Sequence, residues 1–204
     1  MPEPDPDVAD LVFWFDFASS YSYLSAMRIE TAARAAAVSV RWQPFLLGPI
    51  FRAQGWNTSP FNLYPAKGAN MWRDMERRCD ALGLSLTRPP GFPQNSLRAA
   101  RIALAACESP LGPAFCRAVF RAGFADARDI ADPKTLEWAL QEVGLPEQLL
   151  TAADDPTRKA ELRAIGDAAA AKGLFGAPSF TVGDELFWGD DRLDDALAWA
   201  KTET

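Results

Sequence analysis

The pattern of apolar and polar residues near the start of the chain predicts two strands. Residues 11–17 form a continuous apolar and aromatic run, which is typical of a strand buried on both faces. Val38, Val40 and Trp42 then alternate with polar residues, which predicts a second strand that ends at Pro44. We expect the first of these strands to lie at the centre of a sheet.

A helix is predicted between the two strands. Ser19 or Ser20 is a residue type that caps helix N-termini. Leu24, Met27 and an alanine-rich stretch then continue the helical pattern to Ala37. Strand, helix and strand together form a β-α-β unit.

The segment 45–172 predicts a succession of helices. Gly83 is a plausible C-terminal stop for one helix, while Asp132-Pro133 and Asp155-Pro156 are typical of a cap followed by a first helical residue. The apolar stripes predicted for three of the helices contain Met71, Trp72, Met75, Cys79 and Leu82; Leu97, Ala100, Leu104 and Cys107; and Leu111, Phe115, Ala118, Val119 and Ala122.

Strand patterns return after Gly173. Residues 180–182 and 186–188 flank a two-residue Gly183-Asp184 turn, which predicts a tight antiparallel hairpin. A last helix follows, with Leu193 and Leu197 facing inward.

This order of elements indicates the fold class. A β-α-β unit, a helical block and a β-β-α unit together predict an α/β protein with a thioredoxin-like fold, interrupted by an all-helical insertion. The predicted thioredoxin-like domain contains residues 8–44 and 173–204, and the predicted helical insertion domain contains residues 45–172.

Charge and composition exclude several classes of partner. The chain of 204 residues has a formal net charge of -6, so it lacks the clustered cations that a nucleic-acid surface needs. No apolar run approaches the length of a bilayer span, and residues 1–7 are acidic and proline-rich, unlike a signal peptide. We therefore predict a cytoplasmic protein without nucleic-acid or membrane partners.

The cysteine and histidine content narrows the possible chemistry. The three cysteines, Cys79, Cys107 and Cys116, are widely spaced in helical patterns, which favours reduced, buried thiols over a disulfide framework. The chain has no histidine, which removes Ser-His-Asp and Cys-His mechanisms and makes a metal site improbable.

The two ends of the chain carry the features of one active centre. In a thioredoxin-like fold, the N-terminus of the first helix faces a proline whose peptide bond is usually cis, here Pro178. A disulfide oxidoreductase of this fold has Cys-x-x-Cys at that helix, where this chain has Ser19-Ser20-Tyr21-Ser22. No dithiol can form there, so any thiol chemistry at this site requires a thiol from another molecule.

Five separated motifs occur along the chain: residues 15–24, 44–51, 67–78, 92–96, and the terminal pair 175–178 and 187–193. In sequence and order they resemble those of 2-hydroxychromene-2-carboxylate isomerases, which are relatives of kappa-class glutathione transferases. The resemblance covers about residues 12–198. The family usually has Ser-Pro where this chain has Ser19-Ser20, so a residue that is preorganised for the first helical turn is missing.

The resemblance implies that glutathione is the cofactor and that Ser19 is the catalytic residue. In the family, the matching serine faces the glutathione sulfur. A thiol with a pKa of about 8.5 is mostly protonated at neutral pH, and a hydroxyl donor at a helix N-terminus favours the thiolate. Ser19 would therefore stabilise a nucleophile without being one, and it can cap the helix at the same time.

Other glutathione contacts are implied by the same resemblance. The backbone of Ala177, before Pro178, would pair with the cysteinyl part in a strand-like manner. The Asp190-Asp191 pair would hold the γ-glutamyl end, with the Asp191 carboxylate meeting the amine. The predicted glutathione-binding residues are Ser19, Ser20, Tyr21, Asn57, Lys67, Ala177, Pro178, Asp190 and Asp191.

The substrate side is less specific in the sequence. A flat aromatic acid needs an apolar slot and a cation or amide for its carboxylate, and the helical block contains such residues. The candidates, suggested by family-like surroundings, are Tyr21, Trp72, Asp74, Arg77, Phe92, Asn95 and Arg98.

The function implied is a glutathione-dependent isomerase acting on 2-hydroxychromene-2-carboxylate, a small aromatic acid, through transient addition of the thiolate. The resemblance also suggests a homodimer. Three alternatives stay open: a kappa-class-like glutathione transferase, a non-catalytic binding protein of the thioredoxin fold, and a disulfide oxidoreductase, which the serines disfavour.

Overall fold

The predicted β-α-β start is present in the computed structural model, which describes residues 10–203. Strand β1 (Leu11–Phe15) and strand β2 (Val40–Pro44) pair in parallel and are connected by helix α1 (Ser20–Ala36). Strand β1 ends two residues earlier than predicted because the chain turns there, with Ser19 N donating to the Asp16 carbonyl at 2.9 Å. The acidic segment 1–7 and the predicted domain start at residue 8 lie outside the described residues.

The sheet is completed by the predicted C-terminal hairpin. Strands β3 (Ser179–Val182) and β4 (Glu185–Trp188) are antiparallel, and β3 also pairs antiparallel with β1. The order within this four-stranded sheet is β2-β1-β3-β4, so the first strand is central, as predicted. A short 3-10 helix (Asp190–Arg192) leads into the last helix, α9 (Leu193–Glu203).

Between β2 and β3 the described chain is helical. Asp132 and Asp155 cap their helices by accepting hydrogen bonds from Lys134 N at 3.0 Å and Thr157 N at 2.8 Å, which confirms both Asp-Pro starts. The elements are α2 (Leu47–Ala53), α3 (Pro60–Leu63), α4 (Pro65–Leu82), α5 (Leu97–Ala106), α6 (Gly112–Phe124), α7 (Pro133–Val143), a 3-10 helix (Glu147–Ala153) and α8 (Pro156–Ala171).

An aromatic core joins the sheet to the helical segment. Phe13 stacks on Phe180 across the sheet at 5.5 Å between ring centroids. Phe15 and Phe17 both contact Phe120 of α6, at 5.8 and 4.9 Å. The division into two domains stays a prediction, and this core runs across its boundary.

Three leucines assigned to apolar stripes are exposed, so these assignments are wrong. Leu82 is the last residue of α4, Leu97 is the first residue of α5, and Leu111 precedes α6. Side chains at helix ends extend beyond the neighbouring elements that cover the middle of each stripe. In α5 the face most deeply buried instead contains Ala99, Ile102, Ala103 and Ala106.

The cysteines are free thiols, as the sequence predicts. Cys79 and Cys116 are buried, whereas Cys107 is partly exposed, with its Sγ 3.9 Å from Cys116 Sγ. Within residues 10–203, no group of three or more acidic or cysteine side chains is arranged to hold a metal ion. None of the helices in that range has the length and hydropathy needed to cross a lipid bilayer.

Candidate active site

A cleft of about 1790 Å³ opens where the first turn of α1 meets the segment before β3. Its lining combines residues near both ends of the chain with residues from the segment α2 to α5. All nine predicted glutathione-binding residues line it: Ser19, Ser20, Tyr21, Asn57, Lys67, Ala177, Pro178, Asp190 and Asp191. The structure therefore brings together residues that are up to about 170 positions apart in the sequence.

Ser19 joins the two halves of the site. Its backbone is extended and its Oγ accepts a hydrogen bond from Ser22 N at 3.2 Å, so Ser19 is the N-cap of α1. The same hydroxyl donates to the Ala177 carbonyl oxygen at 2.8 Å. The side chain is thus held at the positive end of a 17-residue helix.

The segment around Pro178 presents backbone polar groups to the cleft. The Ala177–Pro178 peptide bond is cis, as predicted. The Pro178 carbonyl accepts a hydrogen bond from Gly189 N at 3.0 Å, but the Ala177 N–H has no protein acceptor within residues 10–203. An extended ligand backbone could pair with this free N–H and with the second lone pair of the Ala177 carbonyl.

Ser20 and Tyr21 are anchored to helix α4. Ser20 is buried, and its hydroxyl contacts Met71 Sδ at 3.3 Å. The Tyr21 hydroxyl donates to Asp74 Oδ2 at 2.9 Å. Burial, and then the Asp74 carboxylate, raise the pKa of Tyr21 well above its ordinary value, so the phenol stays protonated as a donor.

The two adjacent aspartates have different surroundings. The Asp190 side chain is only 1% exposed and accepts hydrogen bonds from Ser25 Oγ at 2.8 Å and Arg28 Nε at 3.2 Å. Arg78 also pairs with this carboxylate. Asp190 is therefore fully engaged by the protein.

Asp191, by contrast, faces the solvent at the edge of the cleft. Its side chain is 59% exposed, and its one ion-pair partner among residues 10–203 is the exposed Arg192, at 3.1 Å. An ion pair in this setting is worth little and is easily exchanged for a ligand. Of the two carboxylates, only that of Asp191 is available to an incoming amine.

Asn57 and Lys67 also line the cleft. Both are exposed. Lys67 Nζ lies 4.8 Å from the centroid of the Tyr64 ring and has no carboxylate partner within residues 10–203. Its charge is therefore free to meet a carboxylate of a ligand.

Asp16 is a site residue whose role the sequence reasoning missed. Its buried carboxylate accepts hydrogen bonds from Ala18 N at 2.9 Å, Leu47 N at 2.8 Å and Ser96 Oγ at 2.6 Å. Burial raises the pKa of Asp16, and these three donors oppose the rise. A single carboxylate inside the otherwise apolar run of residues 11–17 was the signal in the sequence.

The weaker substrate-side candidates divide into two groups. Tyr21, Asp74, Phe92 and Asn95 line the cleft. Three others, Trp72, Arg77 and Arg98, do not line it. Trp72 packs edge-on against Phe92, while Arg77 pairs with Asp74 and Arg98 pairs with Asp154.

The arrangement is suited to holding an anion that the protein does not supply. A hydroxyl at a helix N-terminus can donate to a negatively charged sulfur or oxygen atom. No cysteine is present among the described residues that line the cleft. The chemistry that the site offers is therefore stabilisation and orientation of a bound nucleophile.

Comparison with known proteins agrees with this geometry. The DSBA-like thioredoxin domain matches residues 10–198. A 2-hydroxychromene-2-carboxylate isomerase of Sphingobium xenophagum is 31% identical over 185 residues, which cover 89% of this chain and 93% of the relative.

Two solved structures share the fold. A 2-hydroxychromene-2-carboxylate isomerase has a TM-score of 0.84 at 22% identity, covering 95% of this chain and 94% of that one. The cytosolic disulfide reductase DsbM from Pseudomonas aeruginosa, solved with GSH, has a TM-score of 0.65 at 19% identity, covering 95% and 98%. From its family match and its sequence relative, this chain belongs to the DSBA-like thioredoxin-domain family and, within it, to the family of the 2-hydroxychromene-2-carboxylate isomerases.

Proposed function

We propose that this protein is a glutathione-dependent isomerase that interconverts 2-hydroxychromene-2-carboxylate and trans-o-hydroxybenzylidenepyruvate. The observation that carries the proposal is the position of the Ser19 hydroxyl, which lies at the start of α1 and bonds to the Ala177 carbonyl. It stands in a cleft whose described lining contains no thiol, in a chain whose relatives are named as isomerases.

The residues of the cleft fit glutathione. The Ala177 N–H and carbonyl can pair with the backbone of the cysteinyl residue, since the N–H has no protein partner within residues 10–203. The exposed Asp191 carboxylate can meet the γ-glutamyl amine, and Lys67 can meet a carboxylate. The cleft volume of about 1790 Å³ leaves room for a second molecule beside the tripeptide.

Ser19 and the N-terminus of α1 keep the bound sulfur ionised. Glutathione, when bound, would supply a thiolate that adds to the substrate double bond and leaves again, so that, once the hemiketal C–O bond has opened, the former double bond could rotate while it is single. The Ser19 hydroxyl exchanges its bond to the Ala177 carbonyl for one to the sulfur, while a ligand N–H takes its place on that carbonyl. Ser19 itself never becomes the nucleophile.

The remaining residues orient the reactants. The rigid backbone at Ala177 and Pro178 sets the position of the sulfur, and Lys67 is a candidate for the carboxylate of the substrate. Tyr21, kept protonated by burial, gives its one hydroxyl proton to Asp74, so its oxygen can accept a hydrogen bond from a ligand near the start of α1. The proposed substrate is a small aromatic acid, and a homodimer remains a prediction that light scattering can measure.

An absorbance assay tests the proposal. Purified protein should convert 2-hydroxychromene-2-carboxylate only when glutathione is added, and the concentration of glutathione should be unchanged at the end. Conversion without glutathione would contradict the proposed mechanism. Formation of a stable conjugate with a general electrophile, without isomerisation, would instead indicate a glutathione transferase.

A further inference from the structure

The cleft contains two exposed aromatic side chains to which the proposed glutathione contacts assign no role. Phe175 is 46% exposed and Trp188 is 53% exposed. Their rings contact each other edge to face, with 4.7 Å between the centroids, and both line the cleft. They are the most exposed of the described aromatic residues along it.

Gly176 fixes where the Trp188 indole lies. A Cβ atom at position 176 would lie 2.2 Å from Trp188 Nε1 and 2.9 Å from Cε2, well inside van der Waals contact. The pyrrole edge of the indole therefore occupies the space of the missing side chain. A side chain at position 176 would therefore displace the indole, because the ring packs directly on the backbone there.

The backbone of Trp188 is equally fixed. Trp188 is the register partner of Ser179 in the β3–β4 ladder, and the next residue donates through Gly189 N to the Pro178 carbonyl at 3.0 Å. The indole thus packs on Gly176, the residue before Ala177, whose carbonyl accepts a hydrogen bond from the Ser19 hydroxyl. The aromatic pair stands beside the place assigned to the sulfur.

We propose that Phe175 and Trp188 form the surface on which the aromatic ring attached to the glutathione sulfur packs. This inference rests on the proposed function, because it takes the sulfur to lie beside Ser19. Two aromatic rings that already contact each other in the cleft offer apolar area and offset or edge-on stacking at a reduced ordering cost. The site therefore selects electrophiles that carry a flat aromatic ring over aliphatic ones.

Binding of two unreactive ligands tests this without any turnover. Titration calorimetry should show that S-benzylglutathione binds the wild-type protein more tightly than S-methylglutathione. Trp188→Leu should reduce that preference by about three- to tenfold, the range expected for an aromatic contact. Phe175→Leu should reduce it less, and Trp188→Phe should retain most of it.

The affinity for S-methylglutathione checks that each variant is folded and keeps its tripeptide site. Trp199→Phe is the matched control, since Trp199 is exposed in α9 but does not line the cleft. Its preference for the benzyl ligand should equal that of the wild type.

The outcomes separate the two proposals. If S-methylglutathione binds but the benzyl ligand is not preferred, or Trp188→Leu keeps the full preference, the aromatic surface is wrong while the glutathione site stands. If neither ligand binds the wild-type protein, the proposed function fails and this inference fails with it.

Discussion

The Ser19 hydroxyl donates a 2.8 Å hydrogen bond to the carbonyl oxygen of Ala177, 158 residues further along the chain. Ser19 Oγ also accepts a hydrogen bond from Ser22 N and so caps α1. The Ser19 side chain, which follows the turn after β1, therefore caps the first helix and bonds to the segment before β3. Its removal should affect folding and chemistry by separable amounts.

Ser19→Ala should lower turnover at neutral pH by about ten- to a hundredfold, because a hydrogen bond to a charged group is worth about 1.5–3 kcal/mol. The apparent pKa of the bound glutathione thiol should rise, as ultraviolet titration of the thiolate can measure. Loss of the cap should also lower the free energy of unfolding by about 1 kcal/mol. Ser19→Cys provides a second comparison at the same position.

Ser22→Ala is the matched control for that substitution. Ser22 is buried in the same helical turn, and its hydroxyl has no hydrogen-bond partner within residues 10–203. Its removal should leave both turnover and the thiol pKa close to wild type. Equal losses in Ser19→Ala and Ser22→Ala would show that the Ser19 hydroxyl has no specific part in the chemistry.

Asp190→Ala should lower the stability of the protein, whereas Asp191→Ala should weaken ligand binding. Removal of the buried Asp190 carboxylate leaves Arg28 and Arg78 without their partner, so the free energy of unfolding should fall by about 3–5 kcal/mol. Asp191→Ala should change stability by less than about 0.5 kcal/mol, since Asp191 is an exposed residue. Instead, it should weaken glutathione binding.

Chemical denaturation and titration calorimetry on both variants measure these effects. Asp190→Asn should lose less stability than Asp190→Ala, because the amide keeps the size of the carboxyl group and one oxygen that can accept a hydrogen bond from an arginine. A stable Asp190→Ala variant with weak glutathione binding would assign Asp190 to the ligand and contradict the buried role.

The stability of the wild-type protein relative to Asp16→Asn should depend on pH. Burial raises the pKa of Asp16 in the folded state above the unfolded value of about 3.9, so the folded protein binds the proton more tightly. The contribution of this carboxyl is fully present below the unfolded pKa and is lost as pH rises through the folded pKa. The free energy of unfolding of the wild type, relative to that of Asp16→Asn, should therefore fall with increasing pH.

Urea denaturation of both proteins from pH 4 upwards measures that difference. Asp167→Asn, at an exposed position in α8, controls for the change in net charge. An advantage that grows with pH would mean that the hydrogen bonds from Ala18, Leu47 and Ser96 outweigh burial.

The thiols should react in a defined order. Burial raises the pKa of Cys79 to about 11 and raises that of Cys116 as well, so both are poorly ionised and inaccessible in the folded protein. At pH 8 a chromogenic disulfide reagent should titrate about one thiol rapidly, that of the partly exposed Cys107. All three should react in denaturant.

Cys107→Ser should abolish the rapid phase. Rapid reaction of two thiols in the wild-type protein would show that Cys116 is reached through its 3.9 Å contact with Cys107.

Features that depend on neighbouring residues were predictable from the sequence. The Ser19 cap, the two Asp-Pro helix starts and the Gly183-Asp184 hairpin follow from local backbone and hydrogen-bond rules, and the structure confirms each. The cis bond at Pro178 was expected from its place opposite the first helix.

Features that depend on distant partners were not predictable. Asp190 and Asp191 are adjacent and chemically identical, and Ser25, Arg28 and Arg78, from two other helices, bind the carboxylate of Asp190 alone. The pairing of Asp16 with Leu47 and Ser96 likewise depends on tertiary contacts.

The strand order β2-β1-β3-β4 has a consequence for the newly made chain. Because β3 is translated after the whole helical segment, one edge of β1 stays without its neighbour until residues 179–182 have left the ribosome. Before then Ser19 has no Ala177 carbonyl to bond, so the proposed glutathione site is incomplete on a nascent chain. Affinity for the proposed cofactor should therefore appear only once β3 is in place beside β1.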